Sequence, residues 1–328
     1  MSDKSNIGVL GTGAWGLALS VAIAKKNKVN LFFVSEEEFK MVKENRKSKF
    51  LPLINLPANI SFRNNLEDLK YCKYIFLAMP AQKMRKNLNL ISSFLTTNNF
   101  IVCNKGIENE TNKLMSEVIL DTIPNSNIII LSGPNLAQEV AQDLPTAFVL
   151  SSVNNEILKE LGNTISNKNF RPYFNNDIIG TQLGGAVKNV IAIACGVTVA
   201  KNLGENARSS LITRGLQEVI YLGEKMGAQS QTFYGLSGIG DLNLTCNSNK
   251  SRNFRFGFNL AREKNLKQVQ DIGFLAEGYF SCKSVNSLAK EFDIEMPICN
   301  AVKELLSGSS INEIINRLLS RPLQFEDF

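Results

Sequence analysis

The chain has 328 residues, of which 44% are hydrophobic and 20% charged, and its 36 Lys and Arg against 30 Asp and Glu give a net charge of +6. This composition is typical of a globular chain of about two domains and excludes a disordered one. The sequence contains no histidine, which excludes Ser-His-Asp catalysis, Cys-His catalysis and HExxH zinc sites. The basic residues are too scattered to predict a nucleic-acid-binding surface.

The N-terminal segment and the cysteines indicate the cellular compartment. Residues 7–24 carry no charge and imitate a signal peptide, but glycines interrupt this run at positions 8, 11, 13 and 16. No other stretch approaches the length of a membrane span, so we expect a cytoplasmic protein. None of the six cysteines forms a CxxC pair, and their surroundings predict reduced core residues and no metal site.

The first half of the chain alternates short apolar runs with segments of helical spacing, such as 82–95 and 112–120. This alternation predicts a parallel sheet covered by helices, which is an α/β architecture. The predicted strands are Ile7–Leu10, Val29–Val34, Tyr74–Met79, Phe100–Asn104, Ile128–Leu131 and Ala147–Leu150.

Beyond about residue 178 the pattern changes to long helical segments, and no strong strand pattern recurs. The predicted helices are 182–199, 207–226, 253–263, 279–292 and 297–306. We therefore predict an α/β domain at residues 1–179 and an all-α domain at residues 180–328.

A glycine-rich loop follows the first predicted strand. Gly11, Gly13 and Gly16 form a GxGxxG motif that opens a helical run. In such a loop the first glycine allows a tight turn, the second lets the backbone approach a pyrophosphate, and the third lets helix and strand pack closely. The helix N-terminus adds free N–H groups and the positive end of a dipole. The loop predicts dinucleotide binding, and glycines that serve packing alone are the competing explanation.

Ser35 and Glu36 directly follow the second predicted strand. An acidic residue at this place is expected to hydrogen-bond the adenosine ribose of NAD. No arginine follows directly to hold the 2′-phosphate of NADP, although Ser35 could donate to one and Lys40 is near in sequence. The segment therefore favours NAD slightly over NADP. In the competing interpretation, Glu36 only occupies the first turn of a helix, where acidic residues are favourable.

Two further candidate ligand contacts follow predicted strands. Lys105 lies just past the strand 100–104, and Gly133 lies just past the strand 128–131. Ligands of open parallel sheets bind at the carboxyl ends of the strands. We therefore expect Lys105 to face a cleft and Gly133 to permit close approach of a ligand. A solvated surface lysine is the alternative for Lys105.

Lys188 lies in an otherwise uncharged segment, residues 182–199. Such a lysine either reaches the edge of its helix or is held in a polar pocket. Burial disfavours the charged form of an amine and suits it to acid–base chemistry, so Lys188 is the leading proton donor in a chain without histidine. Asp241 could orient Lys188, and Arg252 could clamp a phosphate. A surface charge in a basic turn is the alternative for Arg252.

Nearly the whole chain resembles the bacterial NAD(P)-dependent glycerol-3-phosphate dehydrogenase family. The segments that carry the resemblance are GTGAWG (11–16), NKGIE (104–108), SGPNLAQE (132–139), LPTA (144–147), QLGGAVKNVIAIACG (182–196), NARSSLITRG (206–215), GLSGIGDLNLTC (235–246), SRNFRFG (251–257) and AEGY (276–279). The resemblance implies a Rossmann-like N-terminal domain, an all-α C-terminal domain and a homodimer. It also implies reversible reduction of dihydroxyacetone phosphate to sn-glycerol 3-phosphate, which feeds glycerophospholipid synthesis.

The resemblance also implies roles for matching residues, with Lys188 as the catalytic proton donor and acceptor. The implied substrate contacts are Lys105, Gly133, Asn135, Lys188, Asp241, Ser251, Arg252 and Asn253. The expected cofactor contacts are Gly11, Gly13, Ala14, Trp15, Gly16, Ser35, Glu36, Lys105, Ala137, Arg252, Leu275 and Glu277.

The chain departs from the family pattern at several positions. Ala14 and Trp15 stand where the family often has serine and another aromatic residue, and Asn135 stands where serine or threonine is usual. The histidine or arginine often found after the second strand is missing, which leaves the choice between NAD and NADP open.

Two alternative functions remain. One is another β-hydroxyacid-type dehydrogenase or imine reductase, for which Arg252 is dispensable. The other is a dinucleotide-binding sensor without turnover, for which Lys188 is replaceable.

Overall fold

The computed structural model describes residues 7–95, 99–263, 276–323 and 325–326. The predicted cofactor contact Leu275 lies outside these residues. The chain divides into two compact units. Unit 1 comprises Met1–Lys105 and Lys113–Thr181, and unit 2 comprises Gly106–Asn112 and Gln182–Phe328.

Unit 1 is built on an eight-stranded sheet. The strands are β1 Ile7–Leu10, β2 Val29–Phe32, β3 Ile60–Arg63, β4 Tyr74–Leu77, β5 Asn99–Val102, β6 Asn127–Ser132, β7 Thr146–Ser151 and β8 Phe170–Asn175. Their order across the sheet is β3-β2-β1-β4-β5-β6-β7-β8, and all neighbours are parallel except β6 and β7. Because β1 lies between β2 and β4, the strand order reverses there, and this switch point is where open α/β sheets bind ligands.

Helices cover both faces of the sheet. In the described part of unit 1 they are α1 Ala14–Ile23, α2 Glu36–Asn45, α3 Met84–Ile91, α4 Met115–Thr122, α5 Ala137–Ala141 and α6 Asn155–Ile165, with 3₁₀ turns at Leu66–Tyr71 and Ala81–Lys83. Two hydrophobic clusters result, because successive strand residues point to opposite faces. Phe76 belongs to one cluster, whereas its neighbours Ile75 and Leu77 belong to the other.

The regular elements of unit 2 are helices within its described residues, whereas residues 106–112 form turns and an isolated β-bridge at Ile107. Its helices are α7 Ile178–Ala200, which begins in unit 1, α8 Gly204–Lys225, α9 Ser230–Phe233, α10 Asp241–Asn247, α11 Arg252–Glu263, α12 Glu277–Glu291, α13 Pro297–Leu306 and α14 Ile311–Leu319. One π-type turn, Leu236–Gly240, precedes α10. The expectation that no stretch beyond residues 7–24 approaches the length of a membrane span is wrong, because helix α7 is long and apolar enough to cross one. However, 83% of its apolar window is buried inside the protein, as in a core helix.

The predicted fold class, an α/β sheet domain followed by helices, is confirmed. The predicted strand Val29–Val34 ends earlier, at Phe32, because Val34 is 57% exposed and Ser35 already caps α2. Strands β3 and β8 were not predicted. Three of the four β3 residues are not buried, and β8 contains Pro172, which is typical of edge strands. Both therefore lack the continuous apolar pattern of the central strands.

All six cysteines are free and buried, as predicted. Burial raises the pKa of the Cys72 thiol to about 12 and also raises the pKa values of Cys103 and Cys246. These groups are therefore protonated thiols near neutral pH, which is the unreactive form of cysteine.

Candidate cofactor and catalytic sites

The glycine loop lies at the switch point of the sheet. Gly11 follows β1 with a φ of +128°, a backbone conformation that favours glycine. An added Cβ at Gly16 would overlap the backbone oxygen of Gly11, so only glycine lets α1 start this close to the loop. Gly13 caps α1, and among the described residues no atom beyond its chain neighbours lies within 4 Å of where its Cβ would be. This open space at a helix N-terminus fits the pyrophosphate of a dinucleotide.

The ends of β4, β5 and β6 are joined by side-chain hydrogen bonds. Lys105 Nζ donates to the backbone oxygen of Gly133 at 2.9 Å, and Asn104 Nδ2 donates to the backbone oxygen of Met79 at 3.0 Å. Lys105 is half-buried. The structure therefore holds Lys105 and Gly133 together at the carboxyl edge of the sheet instead of leaving Lys105 as a solvated surface lysine.

Several buried polar atoms follow the carboxyl ends of the strands and have no hydrogen-bond partner among the described residues. They are Trp15 Nε1, Glu38 Oε1, Asn104 Oδ1, Ser132 Oγ and both amide atoms of Asn135. Buried polar atoms are nearly always hydrogen-bonded in folded proteins. The unpartnered atoms in these segments therefore fit a polar ligand such as a nicotinamide dinucleotide.

Ser35 and Glu36 start α2 directly after β2. The Ser35 hydroxyl accepts a hydrogen bond from the backbone N–H of Glu38 at 3.3 Å and so caps the helix. Glu36 is the first residue of α2, and its Oε2 accepts a hydrogen bond from Asn64 Nδ2 at 3.0 Å. Glu36 thus lies in a first helical turn and also near the carboxyl end of β2, as both interpretations of the sequence expected.

Lys188 of α7 is held in a buried polar pocket of unit 2. The residue is 6% exposed and Asp241 is 1% exposed. Lys188 Nζ donates to Asp241 Oδ1 at 2.5 Å and to Thr245 Oγ1 at 2.8 Å. The Thr245 hydroxyl in turn donates to the backbone oxygen of Asp241 at 2.6 Å. A Cβ at Gly184 would overlap the backbone oxygen of Ser237, so this glycine allows the segment before Asp241 to reach α7.

The Lys188–Asp241 pair has consequences for both stability and chemistry. Removing two charges from water costs several kcal/mol per ion, and a close pair with additional hydrogen bonds offsets that cost. Such a pair is weak support for stability, but removing one partner leaves a buried charge uncompensated. An amine fixed in this way can exchange a proton with an oxygen atom brought to Nζ, as a general acid–base group does.

The segment Ser251–Asn253 starts α11, and its three side chains differ in their surroundings. Arg252 is exposed, whereas Ser251 is buried and its hydroxyl accepts a hydrogen bond from the backbone N–H of Phe254 at 3.3 Å. Asn253 Nδ2 donates to Asn189 Oδ1 at 2.8 Å, and its Oδ1 accepts from the backbone N–H of Gly278 at 2.9 Å. Asn253 therefore ties α7, α11 and α12 together, and Arg252 is the side chain best suited to a phosphate.

Two other residues expected to contact the cofactor lie at helix starts. Ala137 is the first residue of α5, and Glu277 is the first residue of α12 and half-buried.

Sequence reasoning missed three residues of these sites. Thr245 lies four residues after Asp241 on the same helix face, a spacing that could have indicated its contact with Lys188. Thr12 and Glu38 are hydrogen-bonded to each other although they are 26 residues apart, and no local pattern predicts that contact.

An open α/β sheet with a glycine loop at its switch point, accompanied by a helical unit with a buried lysine–aspartate pair, defines a nicotinamide-dependent dehydrogenase. Residues 6–158 match the family model described as NAD-dependent glycerol-3-phosphate dehydrogenase N-terminus, and residues 177–316 match the corresponding C-terminus model. The chain belongs to the NAD-dependent glycerol-3-phosphate dehydrogenase family.

Individual relatives agree with this assignment over their full lengths. The glycerol-3-phosphate dehydrogenase (NAD(P)+) of Zymomonas mobilis is 41% identical over 323 residues, which are 98% of this chain and 94% of the relative. The crystal structure of glycerol-3-phosphate dehydrogenase from Coxiella burnetii has 33% identity and a TM-score of 0.93, and covers 97% of this chain and 99% of its own. The sequence-based expectations of family, enzyme class and NAD(P) as cofactor are confirmed.

Proposed function

We propose that this protein interconverts dihydroxyacetone phosphate and sn-glycerol 3-phosphate, with Lys188 as the proton donor and acceptor. The observation that carries the proposal is the buried contact of Lys188 with Asp241 and Thr245 in a chain of this family that has no histidine. The product would supply glycerophospholipid synthesis. The family resemblance predicts a homodimer, and the sequence predicts a cytoplasmic location.

The chemical requirement for a proton donor follows from the reaction. A bound nicotinamide would supply a hydride to the carbonyl carbon, and negative charge would develop on the carbonyl oxygen. An ammonium positioned at that oxygen stabilises the charge and transfers its proton, which completes the alcohol. Asp241 and Thr245 fix the Lys188 amine before the reaction, so less reorganisation is needed during it. In the reverse direction the neutral amine accepts the proton of the alcohol.

Other residues would bind the two anionic ligands. The glycine loop and the N-terminus of α1 would hold the pyrophosphate, and the buried amide of Asn135 would hydrogen-bond the ligand at the carboxyl edge of the sheet. Lys105 would lie close to the nicotinamide and substrate, because it already lies at that edge on Gly133. Arg252 would hold the substrate phosphate by charge-assisted hydrogen bonds.

The direct test is the absorbance of reduced nicotinamide in the presence of the purified protein and dihydroxyacetone phosphate. NADH and NADPH are used in separate reactions, and unphosphorylated dihydroxyacetone serves as the control. Phosphate-dependent oxidation is the expected result. Oxidation without any requirement for the phosphate would favour another β-hydroxyacid-type dehydrogenase, and cofactor binding without oxidation would favour a sensor.

A further inference from the structure

We propose that Glu38, held against the glycine loop by Thr12, is the residue that selects NAD over NADP. This inference rests on the dinucleotide binding assumed in the proposed function and specifies which form of the cofactor unit 1 accepts. The position usually expected to read the ribose is Glu36, at the end of the second strand. Glu38 lies two residues later, in the first turn of α2.

The contact between Thr12 and Glu38 fixes one end of the carboxylate. Thr12 Oγ1 donates to Glu38 Oε2 at 2.7 Å, and Thr12 lies between the first two glycines of the GxGxxG loop. The carboxylate is therefore attached to the loop after β1, beside the carboxyl end of β2. In sheets of this topology the adenosine ribose binds at this place.

The other oxygen of the carboxylate makes no hydrogen bond within the described part of unit 1. Glu38 Oε1 is buried and accepts no hydrogen bond from the described residues. A carboxylate oxygen without a donor is costly to bury. The 2′-hydroxyl of the NAD ribose can donate the missing hydrogen bond. A 2′-phosphate is an anion with little capacity to donate, so it would bring repulsion in place of that bond.

The neighbouring charges strengthen this discrimination. The first turn of α2 carries Glu36, Glu37 and Glu38. A helix N-terminus without acidic residues attracts phosphate through the positive end of its dipole. Three carboxylates in the first turn of α2 make the electrostatic potential there negative instead. Lys40 is the nearest cation along α2, and its Nζ lies 3.8 Å from Glu36. That contact draws the amine towards a carboxylate and lessens its availability to a 2′-phosphate.

The test measures cofactor binding without turnover. Trp15 is the single tryptophan of the chain and lies inside the glycine loop, so its fluorescence reports occupation of the site. NADH and NADPH are titrated into the wild-type protein, Glu38→Gln and Glu37→Gln. Glu37→Gln is the matched control, because it removes the same charge from the same helical turn at an exposed position. Thermal unfolding of each variant checks that the fold is retained.

We expect the wild-type protein to bind NADH at least about tenfold more tightly than NADPH. Glu38→Gln keeps an acceptor for Thr12 and removes the charge, so it should reduce that preference by about tenfold, mainly through tighter NADPH binding. Glu37→Gln should change the preference by no more than about twofold, because an exposed charge is screened. Equal effects of the two substitutions, or a wild-type protein without a preference for NADH, would overturn the proposal.

Thr12→Val provides a second variant in case Glu38→Gln fails to fold. It retains the charge of Glu38 and removes its attachment to the loop. NADH binding should weaken severalfold while NADPH binding stays poor, and unchanged NADH binding would refute the role of Thr12. A wild-type protein that binds NADH but does not oxidise it with dihydroxyacetone phosphate would contradict the proposed reaction, and the titrations would still test Glu38.

Discussion

Lys188 and Arg252 were both singled out in the sequence as cations with a chemical role, but the structure surrounds them very differently. Lys188 is 6% exposed and bonded to Asp241 and Thr245, whereas Arg252 is exposed at the start of α11. A substitution at Lys188 therefore alters stability and chemistry together. A substitution at Arg252 should alter ligand binding alone.

For Lys188, we expect Lys188→Ala to abolish most turnover and to destabilise the fold by about 3–5 kcal/mol, because Asp241 is left buried without a partner. The double variant Lys188→Met/Asp241→Leu should recover much of the stability but none of the activity. Urea unfolding and steady-state kinetics on the three proteins separate the two effects. Near-normal turnover in either variant would remove Lys188 from the mechanism.

For Arg252, we expect Arg252→Ala to raise the KM for dihydroxyacetone phosphate by about tenfold to a hundredfold, the usual effect of losing a charge-assisted hydrogen bond. The unfolding free energy should stay within about 0.5 kcal/mol of the wild type, as for other exposed sites. Lys250→Ala removes a neighbouring exposed cation and should leave the KM nearly unchanged. If both variants raise the KM equally, general attraction and not a specific clamp binds the phosphate.

At the scale of secondary-structure elements, the N-terminus of helix α13 is capped by a carboxylate from helix α8. Glu218 of α8 is 5% exposed, and its two oxygens accept the backbone N–H groups of Ile298 at 2.6 Å and Cys299 at 3.1 Å. Desolvation raises the pKa of Glu218 from 4.5 to about 7, opposed by the two N–H groups and by Arg321. The packing of α8 against α13 is thus linked to pH.

The direction in which stability changes with pH follows from whether the folded or the unfolded chain holds the Glu218 proton. Between pH 4.5 and about 7 the unfolded chain has lost the Glu218 proton while the folded chain retains it. Stability is therefore fully present below pH 4.5 and falls by up to about 3 kcal/mol as the pH rises through this window. Urea unfolding of wild type and Glu218→Gln at several pH values measures the effect. Glu218→Gln should show a smaller loss across the window, and an identical pH dependence would contradict the prediction.

The secondary-structure elements also show how much of the structure could be predicted from the sequence. Central strands such as β1 and β4 are buried at every residue, and their continuous apolar runs identify them without a structure. Lys188 was identifiable because it is a single charge in an apolar helix. The hydrogen bond between Asn253 and Asn189 joins residues that are 64 positions apart in the sequence, and the one between Glu38 and Thr12 joins residues that are 26 apart. Such contacts depend on tertiary packing, which local periodicity does not encode.

At the scale of the whole molecule, the net charge of +6 suits the proposed reaction, whose substrate and cofactor would both be anionic. Attraction between exposed charges is screened over about 10 Å at 0.1 M salt. We expect kcat/KM for dihydroxyacetone phosphate to fall severalfold between about 20 and 200 mM salt, with a smaller change in kcat. Initial rates at low and saturating substrate measure both constants. A kcat that falls as steeply as kcat/KM would show that salt acts on a later step.

The single antiparallel pairing in the sheet, between β6 and β7, has a practical use. Strands β1 to β6 end at the edge that carries the glycine loop, whereas β7 and β8 run the opposite way and end at the other edge. The turn after β7 therefore lies across the sheet from the cofactor site, and its Val153 is 79% exposed. A fluorescent dye or affinity handle attached through a cysteine introduced at this position would label or immobilise the enzyme at the edge of the sheet opposite the glycine loop.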